Sequence, residues 1–261
     1  MGIVNVTPDS FSDGGQFEDH VRAIAHARVL AAEGADILDI GGESTRPGAG
    51  EVSQAEEARR VLPVIEALLT ENPGLTISID SYKAATARAA LTLGARIVND
   101  VWALQRDPAM AETVAEFGAG LVLMHNRAGI DPDIDIVADM ERFFARSLDL
   151  ASRASVPLDR IALDPGIGFG KSLEQNLAAI RALPRLGAIF GTATLLGVSR
   201  KSFLGLITGK PVGERFAATL AADSYGLLIG ADVIRVHDVA AHRDVARVIA
   251  ALAPRESGHR S

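Results

Sequence analysis

Seven side chains able to do chemistry stand close to the ends of short apolar runs. Asp80 follows Leu75–Ile79, Asn99 follows Arg96–Val98, and Asp164 follows Ile161–Leu163. Two carboxylates and an amide in an apolar pocket would accept hydrogen bonds from a flat, N–H-rich heterocycle carrying an exocyclic amine. Arg46, Lys201, Arg235 and His237 stand near the ends of other such runs and supply cationic donors for a phosphate. Asn5, Asp9, Asp13 and Thr45 are hard oxygen ligands, suited to a Mg²⁺ that bridges a pyrophosphate. Asp164-Pro-Gly-Ile-Gly-Phe-Gly-Lys171 is glycine-rich enough for backbone to approach a ligand closely. It lacks the glycine spacing of a phosphate-binding P-loop.

The elements that must hold these groups are legible as an alternation. Apolar runs of strand length occur at Gly2–Val6, Ile37–Ile40, Leu75–Ile79, Arg96–Val98, Gly120–Met124, Ile161–Leu163, Thr194–Val198 and Val233–Val236. Helical periodicity fills the gaps, from Asp19 to Glu33, after Ser53, over Lys83–Leu93, after Asp107-Pro108, over Ile134–Arg153, after Ser172, over Gly213–Ile229 and over His242–Leu252. Ser53-Gln-Ala-Glu56 and Ser172-Leu-Glu-Gln175 predict capping boxes, Asp107-Pro108 an N-cap with proline at the first helical position, and Gly94 a helix C-cap. Eight strands alternating with helices in about 250 residues is the count of a (β/α)₈ TIM barrel in a single domain. A doubly wound open sheet shares the alternation. The barrel is expected over residues 1–254, with 255–261 a polar tail.

Each apolar run ends in polar or charged residues: Asn5; Gly41-Gly-Glu-Ser-Thr-Arg46; Asp80-Ser81; Asn99-Asp100; His125-Asn-Arg127; Asp164; Ser199-Arg-Lys201; and Arg235 with His237-Asp238. One aspartate after a strand is more often a helix cap or a turn former. The same feature at all eight strands points instead to a site at the C-terminal mouth of a barrel. Phe11, a lone aromatic in the polar loop after the first strand, fits that reading.

Composition narrows the function. Lys and Arg number 26 against 33 Asp and Glu, a formal charge of −7, with no extended basic block, which argues against nucleic acid as a partner. The absence of cysteine excludes disulfides, thiolate metal sites and a cysteine nucleophile. No apolar run reaches the ~18 residues of a membrane span. The chain opens inside the first strand, leaving no room for a leader, and a cytoplasmic protein is expected. Lys171 and Arg200 suit a structural pairing with helix ends as well as a ligand. His20, His26, His242 and His259 read as solvated surface, Trp102 as loop packing, and Glu43 as a loop-orienting group. Ser199 has no triad arrangement around it.

Asn5-Val-Thr-Pro-Asp-Ser-Phe-Ser-Asp-Gly-Gly15, Gly41-Gly-Glu-Ser-Thr-Arg-Pro-Gly48, Ile79-Asp-Ser81, Asn99-Asp-Val101, Leu123-Met-His125, Asp164 to Lys171, Ser199-Arg-Lys-Ser202 and Arg235-Val-His237 resemble, in order and over nearly the whole chain, the motifs of the dihydropteroate synthase family. The resemblance implies a (β/α)₈ barrel that joins (7,8-dihydropterin-6-yl)methyl diphosphate to 4-aminobenzoate in folate synthesis, with Mg²⁺, as a sulfonamide target. It implies a pterin pocket of Asp80, Asn99, Asp164 and Lys201 with Met124 and Phe169 as apolar walls. It implies a diphosphate site of Arg235 and His237 with Thr45 and Arg46, and Asn5 on the metal. The loops at Phe11 and Pro47, with Ser202 alongside, would form the aminobenzoate pocket. Asp80, Lys201 and Arg235 are read as the catalytic groups, and a homodimer through the late helices is expected. Asn126-Arg127-Ala128 departs from the family, which often carries Met or Gln with Gly there, and the sequence starts inside the first strand without the upstream segment usual in the family, as a barrel lacking its N-terminal plug or a truncated start would. A folate-binding methyltransferase module would share Asp80, Asn99 and Asp164 without explaining Phe11 or Ser199 to Ser202. A non-catalytic pterin-binding paralogue would keep the pocket and lose the reaction.

Overall fold

The computed structural model describes residues 1–7, 16–44 and 50–252. Eight strands, β1 (Gly2–Asn5), β2 (Leu38–Gly41), β3 (Ile77–Asp80), β4 (Ile97–Asp100), β5 (Gly120–Met124), β6 (Ile161–Asp164), β7 (Ala193–Leu196) and β8 (Val233–Ile234), pair in chain order, all parallel. The ends of the sheet meet. Ile3 donates its N–H to the Val236 carbonyl at 3.0 Å, and Val236 donates to Met1 at 2.9 Å. The sheet is a closed barrel, so the open-sheet alternative falls.

Strand alternation divides the residues into two sets. Val4, Ile40, Ile79, Val98 and Leu121 lie in one register row and are all buried apolar residues of the core beneath the helices. The opposite parity points into the barrel. It carries Asn5, Asp39, Asp80, Asn99, Met124 and Asp164, so the polar groups at the mouth share the interior face by necessity.

The outer ring consists of α1 (Gln16–Ala32), α2 (Gln54–Glu71), α3 (Ala84–Leu93), α4 (Met110–Phe117), α5 (Ile136–Arg153), α6 (Leu173–Arg181), α7 (Leu183–Phe190), α8 (Ser202–Thr208), α9 (Phe216–Leu228) and α10 (Val239–Leu252). Pro184, at the start of α7, has no N–H to continue α6, which separates the two helices. Gly94 ends α3 in the left-handed conformation, as the sequence predicts. The box at Ser172 is complete, with Ser172 Oγ accepting from Gln175 N–H and Gln175 Oε1 from Ser172 N–H. At Ser53 only the serine half forms, because the Glu56 carboxylate pairs with Arg60 at 2.7 Å instead. Asp107 also departs from its expected role. Helix α4 begins at Met110, and the second Asp107 oxygen accepts from Ala84 N–H at 2.8 Å, capping α3 across the loop.

His242 corrects the reading of that residue as surface. It is buried between α9 and α10, with Nδ1 2.6 Å from the Asp238 carbonyl and Nε2 3.0 Å from Asp223. A carbonyl only accepts, so Nδ1 carries a proton, and Nε2 shares one with the buried Asp223 carboxylate.

Beyond β4 the chain turns through Ala103 and Leu104, both at positive φ. Asp100 holds this turn, its two oxygens accepting from the N–H groups of Trp102 at 2.9 Å and Leu104 at 2.7 Å. Burial nonetheless pushes the Asp100 carboxyl from 3.8 up to about 6, against those bonds. Between these values the folded chain holds the proton more tightly than the unfolded chain does. The resulting stabilisation is complete below 3.8 and is lost as pH rises through 6. Measured by urea denaturation, wild-type stability relative to Asp100→Asn should fall across this window and stay flat above it.

Candidate active site

The mouth is assembled by register. Asn5, Gly41, Asp80 and Asn99 are successive partners across β1 to β4, and Met124 is level with Asp164 across β5 and β6. Arg235 enters from the end of β8. Its Nε donates to Asp39 at 2.6 Å and its Nη2 to Asp80 at 2.8 Å. The same Asp39 oxygen accepts from the Asn99 amide at 3.0 Å. Only the amide nitrogen can face a carboxylate, so the Asn99 oxygen is left to face a ligand. Burial alone would lower the Arg235 guanidinium, but Asp39 and Asp80 hold it above its usual range. Burial pushes the Asp80 carboxyl up while Arg235 pulls it down, and burial is the larger effect.

Asp39 was not among the predicted site residues. It lies inside a strand rather than at its end. The signal for it was a charged residue within an apolar run, two positions before Gly41, and so on the same inward parity.

The other half of the mouth comes from the loops after β6 and β7. A Cβ built on Gly197 would lie 3.8 Å from the Asp164 carboxylate, the Lys201 ammonium and the Arg235 Cβ, so these residues surround one point. The Lys201 ammonium lies 5.0 Å from the centre of the Phe169 ring. Burial lowers Lys201 to about 8, against the pull of Asp164. Burial also raises Asp164, against Lys201. One Asp164 oxygen accepts from Gly166 N–H at 2.8 Å, which leaves the other facing Gly197. Met124 is buried beside Asp164.

Lys171 serves the loop itself. Its buried ammonium donates to the carbonyls of Gly166 at 2.7 Å, Phe169 at 3.1 Å and His125 at 3.4 Å, fixing the backbone that carries Phe169. Arg200 is likewise structural, bonded through two nitrogens to Asp238. Glu43 orients its loop as expected, pairing with Lys83 and accepting from the Tyr82 hydroxyl at 3.1 Å. Beneath it the buried Glu57 accepts from Ser81 and Thr86. Asn126 and Arg127 are both engaged. Asn126 donates to the Val101 carbonyl at 3.0 Å, and Arg127 shares the Asp139 carboxylate with His125. Trp102 lies beneath the Arg106 guanidinium at 5.1 Å.

His237 is half-buried beyond β8, with Nδ1 2.8 Å from Ser199 Oγ. Burial, then the charges of Arg200 and Arg235, lower it to about 4, so the ring is neutral near pH 7. Ser202 opens α8 and is exposed. The Asn5 side chain makes no hydrogen bond to a described residue. Phe11, Thr45, Arg46 and Pro47 lie outside the described residues, as do Asp9 and Asp13.

A closed parallel barrel with converging carboxylates, amide and cations at its C-terminal mouth defines a ligand-binding enzyme of the (β/α)₈ class. Residues 1–237 match the family of pterin binding enzymes. The dihydropteroate synthase of Bacillus subtilis is 46% identical over 239 residues, covering 92% of this chain and 83% of that one. A solved dihydropteroate synthase from Clostridium difficile, in the presence of pteroic acid, superposes with a TM-score of 0.93 at 45% identity, over 98% of this chain and 96% of the other. That of Xanthomonas albilineans in complex with 7,8-dihydropteroate gives 0.88 at 43% identity, over 97% and 94%. The chain belongs to the dihydropteroate synthase family.

Gly166 is where the site depends most narrowly on a missing side chain. Its φ is +64°, and a Cβ there would lie 1.8 Å from the His125 carbonyl oxygen. Gly191 has the same φ with nothing within 4 Å. Gly191→Ala should cost the ~1–3 kcal/mol of left-handed strain. Gly166→Ala should cost more, because backbone must also move. Urea denaturation of both variants gives the comparison.

Proposed function

We infer that this chain joins (7,8-dihydropterin-6-yl)methyl diphosphate to 4-aminobenzoate, giving 7,8-dihydropteroate and pyrophosphate. The convergence of Asp80, Asn99 and Asp164 with Lys201 and Arg235 at one barrel mouth carries the reading. Acceptors on one side match the N–H edge of a pterin, and cations match the diphosphate. Phe169 and Met124 supply apolar surface for the ring.

The reaction breaks the C–O bond between the pterin methylene and the diphosphate. The electron pair leaves with the diphosphate, the arylamine nitrogen forms the new C–N bond, and that nitrogen then loses a proton. An arylamine is a weak nucleophile, and the methylene carbon is conjugated with an electron-rich dihydropterin. Both facts favour bond breaking ahead of attack. Asp80 and Asp164 hold the pterin N–H groups, while Arg235, His237 and Lys201 stabilise charge as it develops on the leaving group. Thr45 and Arg46 would extend the diphosphate site, and Phe11, Pro47 and Ser202 would complete the aminobenzoate pocket.

Mg²⁺ keeps most of its water and takes one or two protein oxygens together with substrate phosphates. Asn5 fits that need, its amide oxygen at the mouth and not bonded to a described residue. Among the described residues no group of three or more acids and histidines could hold an ion alone. Asn5 would therefore hold an ion shared with the diphosphate, where it would neutralise charge on the leaving group. Among the described residues no helix is long and apolar enough to cross a membrane. The pterin diphosphate is a polyanion that does not cross a bilayer unaided, which favours a cytoplasmic enzyme.

Incubating both substrates with Mg²⁺ and following dihydropteroate formation tests the reading. Pterin binding without product would point to a binding module instead. Asp164→Ala should weaken pterin binding by roughly tenfold to a hundredfold, the ~1–3 kcal/mol of a buried donor left without its acceptor. Calorimetry with a pterin measures it, and unchanged affinity would remove Asp164 from the site.

A homodimer through the late helices has support in the apolar residues left exposed there: Leu206 and Ile207 on α8, Phe216, Tyr225 and Leu228 on α9, and Val248 on α10. Light scattering at micromolar concentration should give twice the chain mass. Leu228→Glu, at a residue 68% exposed, should give the monomer.

A further inference from the structure

Ser199 and His237, from two different loops at the barrel mouth, are joined by a side-chain hydrogen bond. Ser199 lies in the loop after β7 and His237 in the loop after β8, and the serine is buried, with 7% of its surface exposed. Among the described residues its Oγ has two partners, both on His237: the backbone N–H at 3.3 Å and ring Nδ1 at 2.8 Å. The backbone N–H can only donate, so Oγ accepts there. Among the described residues the hydroxyl proton then has one acceptor within reach, the Nδ1 lone pair. With the proton on Nδ1 instead, the hydroxyl proton would be buried without a partner, an arrangement folded proteins avoid.

We propose that Ser199 is a positioning residue that holds His237 as the Nε2–H tautomer, so that the ring presents a donor to an anionic ligand. The ring is neutral near pH 7 and has only one N–H to offer. Nε2 makes no hydrogen bond to a described residue. In the other tautomer it would turn a lone pair toward the anion, and the contact would change from attraction to repulsion. The charges of Arg200 and Arg235 both bear on the His237 ring. The proposal rests on the reading of His237 as part of the diphosphate site.

The test uses ¹⁵N-histidine-labelled full-length protein. A long-range ¹H–¹⁵N correlation spectrum of the free enzyme near pH 7 should show His237 protonated at Nε2 alone. Ser199→Ala should shift that signature toward a mixture of tautomers. It should also raise KM for the pterin diphosphate by about tenfold, the worth of one hydrogen bond to a charged group. Affinity for a pterin lacking the diphosphate should not change. Ser199→Thr, which keeps the hydroxyl, should restore both signature and KM. A wild-type His237 protonated at Nδ1 would overturn the proposal, as would a Ser199→Ala enzyme with unaltered tautomer or unaltered KM. If the wild-type enzyme forms no dihydropteroate, the functional reading fails, while the spectra still decide the tautomer.

Discussion

The site is organised around one buried cation. Arg235 sits between Asp39 and Asp80, and Asp39 also takes the amide of Asn99. These residues come from the end of β8 and from β2, β3 and β4, so a single guanidinium ties the last strand to the first half of the barrel. The strand that leads into it is only two residues long. The hydrogen bonds between β8 and β1 close the barrel along its wall, and Arg235 closes it across the interior. Buried charges are stable only when paired and hydrogen-bonded, and removing one partner of such a set is far costlier than replacing the set. Asp39, Asp80 and Arg235 are therefore bound to one another before any ligand arrives. The functional groups are held in place by their own electrostatics.

The opposite wall is held by backbone. Three glycines at positive φ, Gly166, Gly168 and Gly170, fold the β6–α6 loop back on itself, and Lys171 gathers the carbonyls that the fold turns inward. A buried ammonium is costly unless its protons are used, and this one has three carbonyl partners. Phe169 is presented from that loop toward Lys201, whose ammonium stands beside Asp164. One side of the mouth is thus a rigid ion cluster, and the other a backbone shape that admits an apolar ring face.

Asn126 and Arg127, in the loop after β5, are tied to the surrounding structure by their own bonds. Arg127 shares Asp139 with His125, and Asn126 ties the β5 loop to Val101 at the end of β4.

The sequence by itself determined the alternation of strands and helices, the polar ending of each strand, the helix stop at Gly94 and the box at Ser172. Each depends on residues within a few positions of one another, where backbone preference and local hydrogen bonds decide the outcome. It also indicated Asp80, Asn99, Asp164, Lys201 and Arg235 as one set, and the barrel brings them to one mouth. Tertiary structure alone decided which charges are partners. Asp39 and Arg235 are 196 positions apart, and nothing near either residue names the other. His242 has the polar setting of a surface residue, yet packing against α9 buries it on Asp223. Asp107 has the form of a cap for the helix that follows it, yet one of its oxygens caps α3. A carboxylate accepts from whichever donor the fold brings within reach, and that donor is chosen by chain closure over long distances, which local sequence does not encode.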